Sequence, residues 1–210
     1  MFSNFAHWFE GGLLGVIVIT AILQVAGYLK FRTAQLIWSI LILIAGSFLV
    51  PYMLLHHGLD RVDETWQFLM TDPQQLQHFL MGILLMVAGL SELLSVLNVL
   101  RSKLWQFIFP AALPVIGTLF MIHSRHGTAE AIHESLVFHR YLGTALILSG
   151  VAKAVVVIWG DRYKKIAYIW IFFMLITAGL LVTYREPNGA YNVNHSDAQG
   201  QESIPKGHHE

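Results

Sequence analysis

The chain contains no cysteine, which excludes disulfides, thiolate metal sites, covalent haem attachment through a Cys-x-x-Cys-His motif and a cysteine nucleophile. Any metal chemistry must use nitrogen and oxygen ligands. Charge is scarce as well: 12% of the 210 residues are charged, and 13 acidic residues balance 13 basic ones. No bias of either sign remains to attract nucleic acid or a charged partner surface. Instead, 55% of residues are hydrophobic and mean hydropathy is +0.57, values of a membrane protein rather than a soluble domain. Eleven histidines stand out against this apolar background.

A bilayer core of roughly 30 Å takes about 20 apolar residues per helical crossing. Six stretches qualify, at about 11–29, 34–55, 79–100, 104–122, 136–159 and 166–184. The expected fold is all-α, with six transmembrane helices in residues 1–185 arranged as three hairpins, the middle four helices forming a core four-helix bundle. Residues 186–210 are polar and rich in turn formers, which predicts a flexible extracytoplasmic tail. The first stretch follows Asn4, His7 and Glu10 instead of a basic region and lacks a small-residue cleavage site, favouring a helix over a secretory signal.

Lys and Arg mark the cytoplasmic side of short loops. Lys30, Arg32, Arg101, Lys103, Arg162, Lys164 and Lys165 fall in the loops after the first, third and fifth stretches. Both termini are therefore expected outside, in the periplasm if the membrane is a bacterial inner membrane. On that topology all eleven histidines lie on the outer side. For His7, His195, His208 and His209 the reading is an ordinary interfacial or tail histidine.

The strongest internal signal is a repeat. His78-x3-Gly82-x6-Gly89-x2-Glu92 opens the third stretch, and His139-x3-Gly143-x6-Gly150-x2-Lys153 opens the fifth. At 100° per residue the two glycines and the charge fall within about 40° of the histidine direction, so each helix carries one stripe. Glu92 and Lys153 come about 21 Å below their histidines. A lone charge at that depth is costly, so the two are expected to pair inside the bundle. His78 and His139 are expected to face one another in a space widened by Gly82 and Gly143. His7-x3-Gly11 repeats the same opening more weakly in the first stretch.

This spacing resembles the transmembrane b-type cytochromes, in which two parallel helices each carry His-x13-His and clamp two stacked haems. Here the inner member of each pair is Glu92 or Lys153. The resemblance covers residues 78–153 and implies one haem b near the outer face, axially held by His78 and His139, with Gly82 and Gly143 against the ring. The inner haem site is replaced by an ion pair.

A second constellation lies at the outer mouth: His56 and His57, His123 and His126, and Glu130 with His133. Several imidazoles with a carboxylate and no thiolate suit copper or zinc. Glu130-x-x-His133 has the spacing of carboxylate-bridged metal sites in bundles, but only one copy exists, and the clustered motifs of the membrane histidine-box hydroxylases are missing. The His-Gly turns followed by a histidine-bearing helix are similar to multi-pass proteins associated with copper handling. The segment 56–78 has the apolar spacing of a short interfacial helix ended by Thr71-Asp72-Pro73, placed to cover a haem edge, form a quinol pocket or dock a partner subunit.

The sequence thus predicts a membrane haem b protein that transfers electrons near the outer face. Its expected partners are membrane lipids, a quinol, and a periplasmic cytochrome or larger membrane complex. The alternatives are copper binding and delivery at the mouth, or a non-catalytic subunit of a larger assembly. No residue is singled out as catalytic.

Overall fold

A computed structural model describes residues 2–54, 62–122, 128–159 and 164–188. The chain order is α1 (Phe2–Val25), α2 (Phe31–Leu54), α3 (Val62–Thr71), α4 (Pro73–Val96), a 3₁₀ turn (Lys103–Phe107), α5 (Ile108–Met121), α6 (Ala129–Trp159) and α7 (Lys164–Thr183). Six of these helices are long and apolar enough to cross a membrane; α3 is the short helix expected before Pro73.

Local chemistry sets the ends. Gly27 takes φ +85° after α1, and the Tyr28 amide donates to the Leu23 carbonyl at 2.8 Å, a left-handed C-cap that glycine adopts without penalty. Asn98 at φ +59° does the same after α4, where the Val99 amide donates to the Leu94 carbonyl. Asp72 caps α4 by accepting from the Gln74 amide at 2.8 Å, and Pro73 occupies the first helical position, where its missing N–H costs nothing. α1 starts well before the apolar stretch at 11–29, so His7 and Glu10 are helical residues.

The six long helices close into a ring in the order α1, α2, α4, α5, α6, α7 and back to α1. This corrects the expected four-helix core flanked by two outer helices. Ring closure is tied by polar bonds: Trp8 Nε1 donates to the Tyr184 carbonyl at 2.8 Å, and the Glu186 amide donates to Asn4 Oδ1 at 2.8 Å. Helices α1, α4 and α6 begin at one end, called here the histidine end.

The glycines decide which seams are tightest. A Cβ at Gly46 or Gly89 would run into the facing helix of the α2–α4 pair, and one at Gly117 or Gly150 into that of the α5–α6 pair. Gly11 lies against Leu181 and Val182 of α7 in the same way. Small residues let the backbones approach, as membrane helix pairs require. These seams join different expected hairpins rather than the two arms of one hairpin.

The outer face of the ring is apolar. Ile19, Phe172, Leu175 and Val151 are all more than half exposed, and only 28–44% of each span is buried. Soluble monomers rarely expose contiguous apolar surface beyond a few hundred Å², so this exterior is compatible with lipid contact.

Candidate functional site

Three helices that alternate around the ring each bring one histidine to the same end. His7 on α1, His78 on α4 and His139 on α6 hold their rings in one way: Nδ1 lies 2.7, 2.8 and 2.7 Å from the carbonyl oxygens of Ser3, Gln74 and Ser135, each four residues earlier. A carbonyl can only accept, so Nδ1 carries the proton in every case. In the neutral ring Nε2 is then the lone-pair nitrogen. Tying one ring nitrogen to the backbone is also how proteins orient histidines that ligate metals.

The rings are packed among aromatics. His7 stacks on Tyr184 at 4.0 Å between centroids and meets His139 edge-on at 6.2 Å. His139 is 2% exposed and also contacts Phe120 and Phe138. His7 and His78 face a cavity of about 240 Å³, whose wall includes Glu10, Tyr52, Gln74 and Phe120. Glu10 Oε1 is enclosed and has no hydrogen-bond partner among the described residues. An enclosed polar group without a partner costs roughly 2–7 kcal/mol, so a donor arriving in the cavity would be strongly held.

Several expectations change here. Gly82 and Gly143 do not widen a slot between His78 and His139. A Cβ at Gly82 would meet Val50 Cγ2 of α2 at 2.9 Å, and one at Gly143 would meet the Gly117 carbonyl of α5. The neighbouring helices already fill the space that a porphyrin against those glycines would need. His78 and His139 sit on helices separated by α5, whereas His7 contacts His139 and lines the same cavity as His78.

Glu130 and His133 are exposed on the first turns of α6. His56, His57, His123 and His126 lie outside the described residues. Among the described residues no three His, Asp or Glu side chains converge closely enough to hold one metal ion.

At the opposite end Glu92 and Lys153 are buried, 3% and 8% exposed, and line one cavity of about 220 Å³. Their direct contacts are with other groups. Glu92 Oε2 accepts from Gln35 Nε2 at 2.9 Å, while the Lys153 ammonium lies 4.6 and 4.8 Å from the ring centroids of Trp38 and Trp170. Between the two polar cavities Glu10 caps a void of about 80 Å³ with apolar walls such as Ile17, Ile42, Leu113 and Met174.

His7, Glu10, Gln35, Trp38 and Trp170 were not singled out from the sequence as site residues. The usable signals were the His-x3-Gly opening shared by His7, and a glutamate and a glutamine inside apolar helices.

No protein-family model, curated protein or solved structure matches the chain.

Proposed function

We propose that this chain is an integral membrane protein, with the histidine end at the outer face and both termini on that side, and that its outer cavity holds one haem b for electron transfer. The single observation that carries the reading is the trio His7, His78 and His139, each with Nδ1 anchored to its own helix backbone. Haem suits this trio better than a bare ion. A porphyrin supplies four ligands and asks the protein for two, whereas a bare ion needs three or more side chains in one place. His7 and His78 are the pair that faces the cavity, and His139 supports His7 from behind. The iron would exchange single electrons with an outside carrier. The apolar axis beneath Glu10 argues against a conduction path through the ring.

A dithionite-reduced minus oxidised visible spectrum of the purified protein, with iron measured on the same sample, tests the proposal. The expected result is a b-type α band with about one iron per chain, as a single bis-histidine haem requires. His7→Ala and His78→Ala should abolish or shift the band. A folded, monodisperse protein without iron or band would overturn it.

A second reading is favoured by Glu10. A quinol headgroup in the same cavity would donate to the partnerless Oε1 atom and place a second hydroxyl near a histidine Nε2. A mostly apolar pocket with a few convergent polar groups is the usual form of such sites. Solvent extraction of a stoichiometric quinone from haem-free protein would establish this reading instead.

A further inference from the structure

Lys153 has an arrangement that its own protein leaves incomplete. The side chain is 8% exposed, and its ammonium rests against two indole faces. Ring faces attract a cation but offer no lone pair to its three N–H donors. Among the described residues no side-chain or carbonyl oxygen accepts from it. The cavity beside it contains a second buried charge, Glu92, held from one side by Gln35. The charges sum to zero within one small space, yet each is fixed by a neutral partner. That geometry leaves room for a guest with both signs, an anion toward Lys153 and an N–H cation toward Glu92.

The position of the cavity says where such a guest comes from. Gln35, Glu92 and Lys153 stand four to six residues from the ends of α2, α4 and α6, about 6–9 Å along each axis. On the membrane reading above, that is just below the headgroup layer of the cytoplasmic leaflet. The remaining wall is Phe31, Val156 and Val157 with Gln106. Phe31 is 57% exposed, and Leu104 and Trp105 on the nearby 3₁₀ turn are exposed too, so the rim merges with the apolar exterior.

The geometry points to a binding site for a zwitterion that joins a phosphate to a primary ammonium, supplied by a lipid of the cytoplasmic leaflet. The phosphate takes hydrogen bonds from Lys153 and the Gln106 amide. The primary ammonium donates to Glu92, and the acyl chains leave past Phe31 and Val157. The inference depends on the membrane reading and its sidedness, not on the haem.

Native mass spectrometry of delipidated protein, titrated in detergent with phosphatidylethanolamine, phosphatidylcholine or phosphatidylglycerol, tests it. One phosphatidylethanolamine per chain is expected, held about tenfold more tightly than the other two, because a quaternary ammonium has no N–H for Glu92 and glycerol has no cation. Lys153→Met should remove the preference. Val157→Trp should do so while leaving both charges in place, which keeps the test valid if the Lys153 variant fails to fold. Equal binding of the three lipids, or an unchanged preference in folded Val157→Trp, would overturn the site. Free phosphoethanolamine binding as tightly as the lipid would overturn the lipid source in favour of a soluble zwitterion. Release of the protein from membranes by alkaline carbonate would show separately that the membrane reading had failed.

Discussion

The rings of His7 and His139 meet edge to face with centroids 6.2 Å apart, although they belong to the first and sixth helices of the chain. Tyr184, beyond the end of the last long helix, stacks on His7 and touches His139 as well. This contact seals the ring of helices where α7 returns to α1. The ring of His7 therefore packs the closure, while the ligand role proposed for it would use Nε2, so the two can be tested separately.

Replacing His7 by Phe keeps the stack on Tyr184 and removes the nitrogen, whereas Ala removes both. His7→Ala should lower stability by about 1–3 kcal/mol more than His7→Phe, from lost aromatic contact and the space left behind. Both variants should lose the outer-site ligand equally. Thermal unfolding in detergent, read beside the visible spectrum, checks the separation.

The glycine seams make a contrast inside one helix type. Gly143→Ala places a methyl group against the Gly117 carbonyl and should cost about 1–3 kcal/mol through overpacking. Gly15→Ala meets nothing within 4 Å and should be neutral or stabilising by up to about 1 kcal/mol, from helix propensity. A Gly143→Ala protein as stable as the parent would contradict the α5–α6 seam.

Gln35→Leu strips Glu92 of its buried donor and should destabilise by about 1–3 kcal/mol, the usual cost of leaving one partner unsatisfied. Gln35→Asn, too short to span the same gap, should recover little. Chemical unfolding of both variants decides whether this bond holds α2 to α4.

A charge swap asks how Glu92 and Lys153 are held. If their direct attraction dominated, Glu92→Lys with Lys153→Glu would restore most of the stability lost by each single change. The structure predicts poor rescue. A carboxylate at 153 would face the negative ring surfaces of Trp38 and Trp170 and forfeit a cation–π contribution of about 0.5–2 kcal/mol. Lys153→Arg, which keeps the cation over the rings, should be tolerated better than the swap. Melting temperatures of the four variants give the answer.

Glu10→Leu should stabilise the ligand-free protein, because it removes an enclosed oxygen that has no donor among the described residues and replaces it with apolar volume. The same change should weaken any cavity ligand that donates to Oε1. A gain in ligand-free stability with a loss of ligand-induced stabilisation is the expected pair of results.

The six long apolar helices, the short helix before Pro73 and the positions of Glu92 and Lys153 along their helices were all legible in the sequence, because they follow from rules that act along one helix. Apolar run length, a proline at the first helical position and the 3.6-residue period need no knowledge of neighbours. The repeated His-x3-Gly opening was legible too, and its three copies do come to one end of the fold.

What only the tertiary structure decided is which helix stands beside which. A stripe of glycines shows that something approaches closely, but not whether it is a porphyrin or another backbone. Here Val50 and Gly117 occupy those approaches. A buried charge shows that a partner is needed, but not that Gln35 and two tryptophans will provide it across helices far apart in sequence. His7 looked like an interfacial histidine until closure of the ring set it against His139 and on one cavity with His78. Spacing along a helix fixes direction and depth, whereas contact between helices depends on ring order, and that emerges only when all six apolar faces pack together.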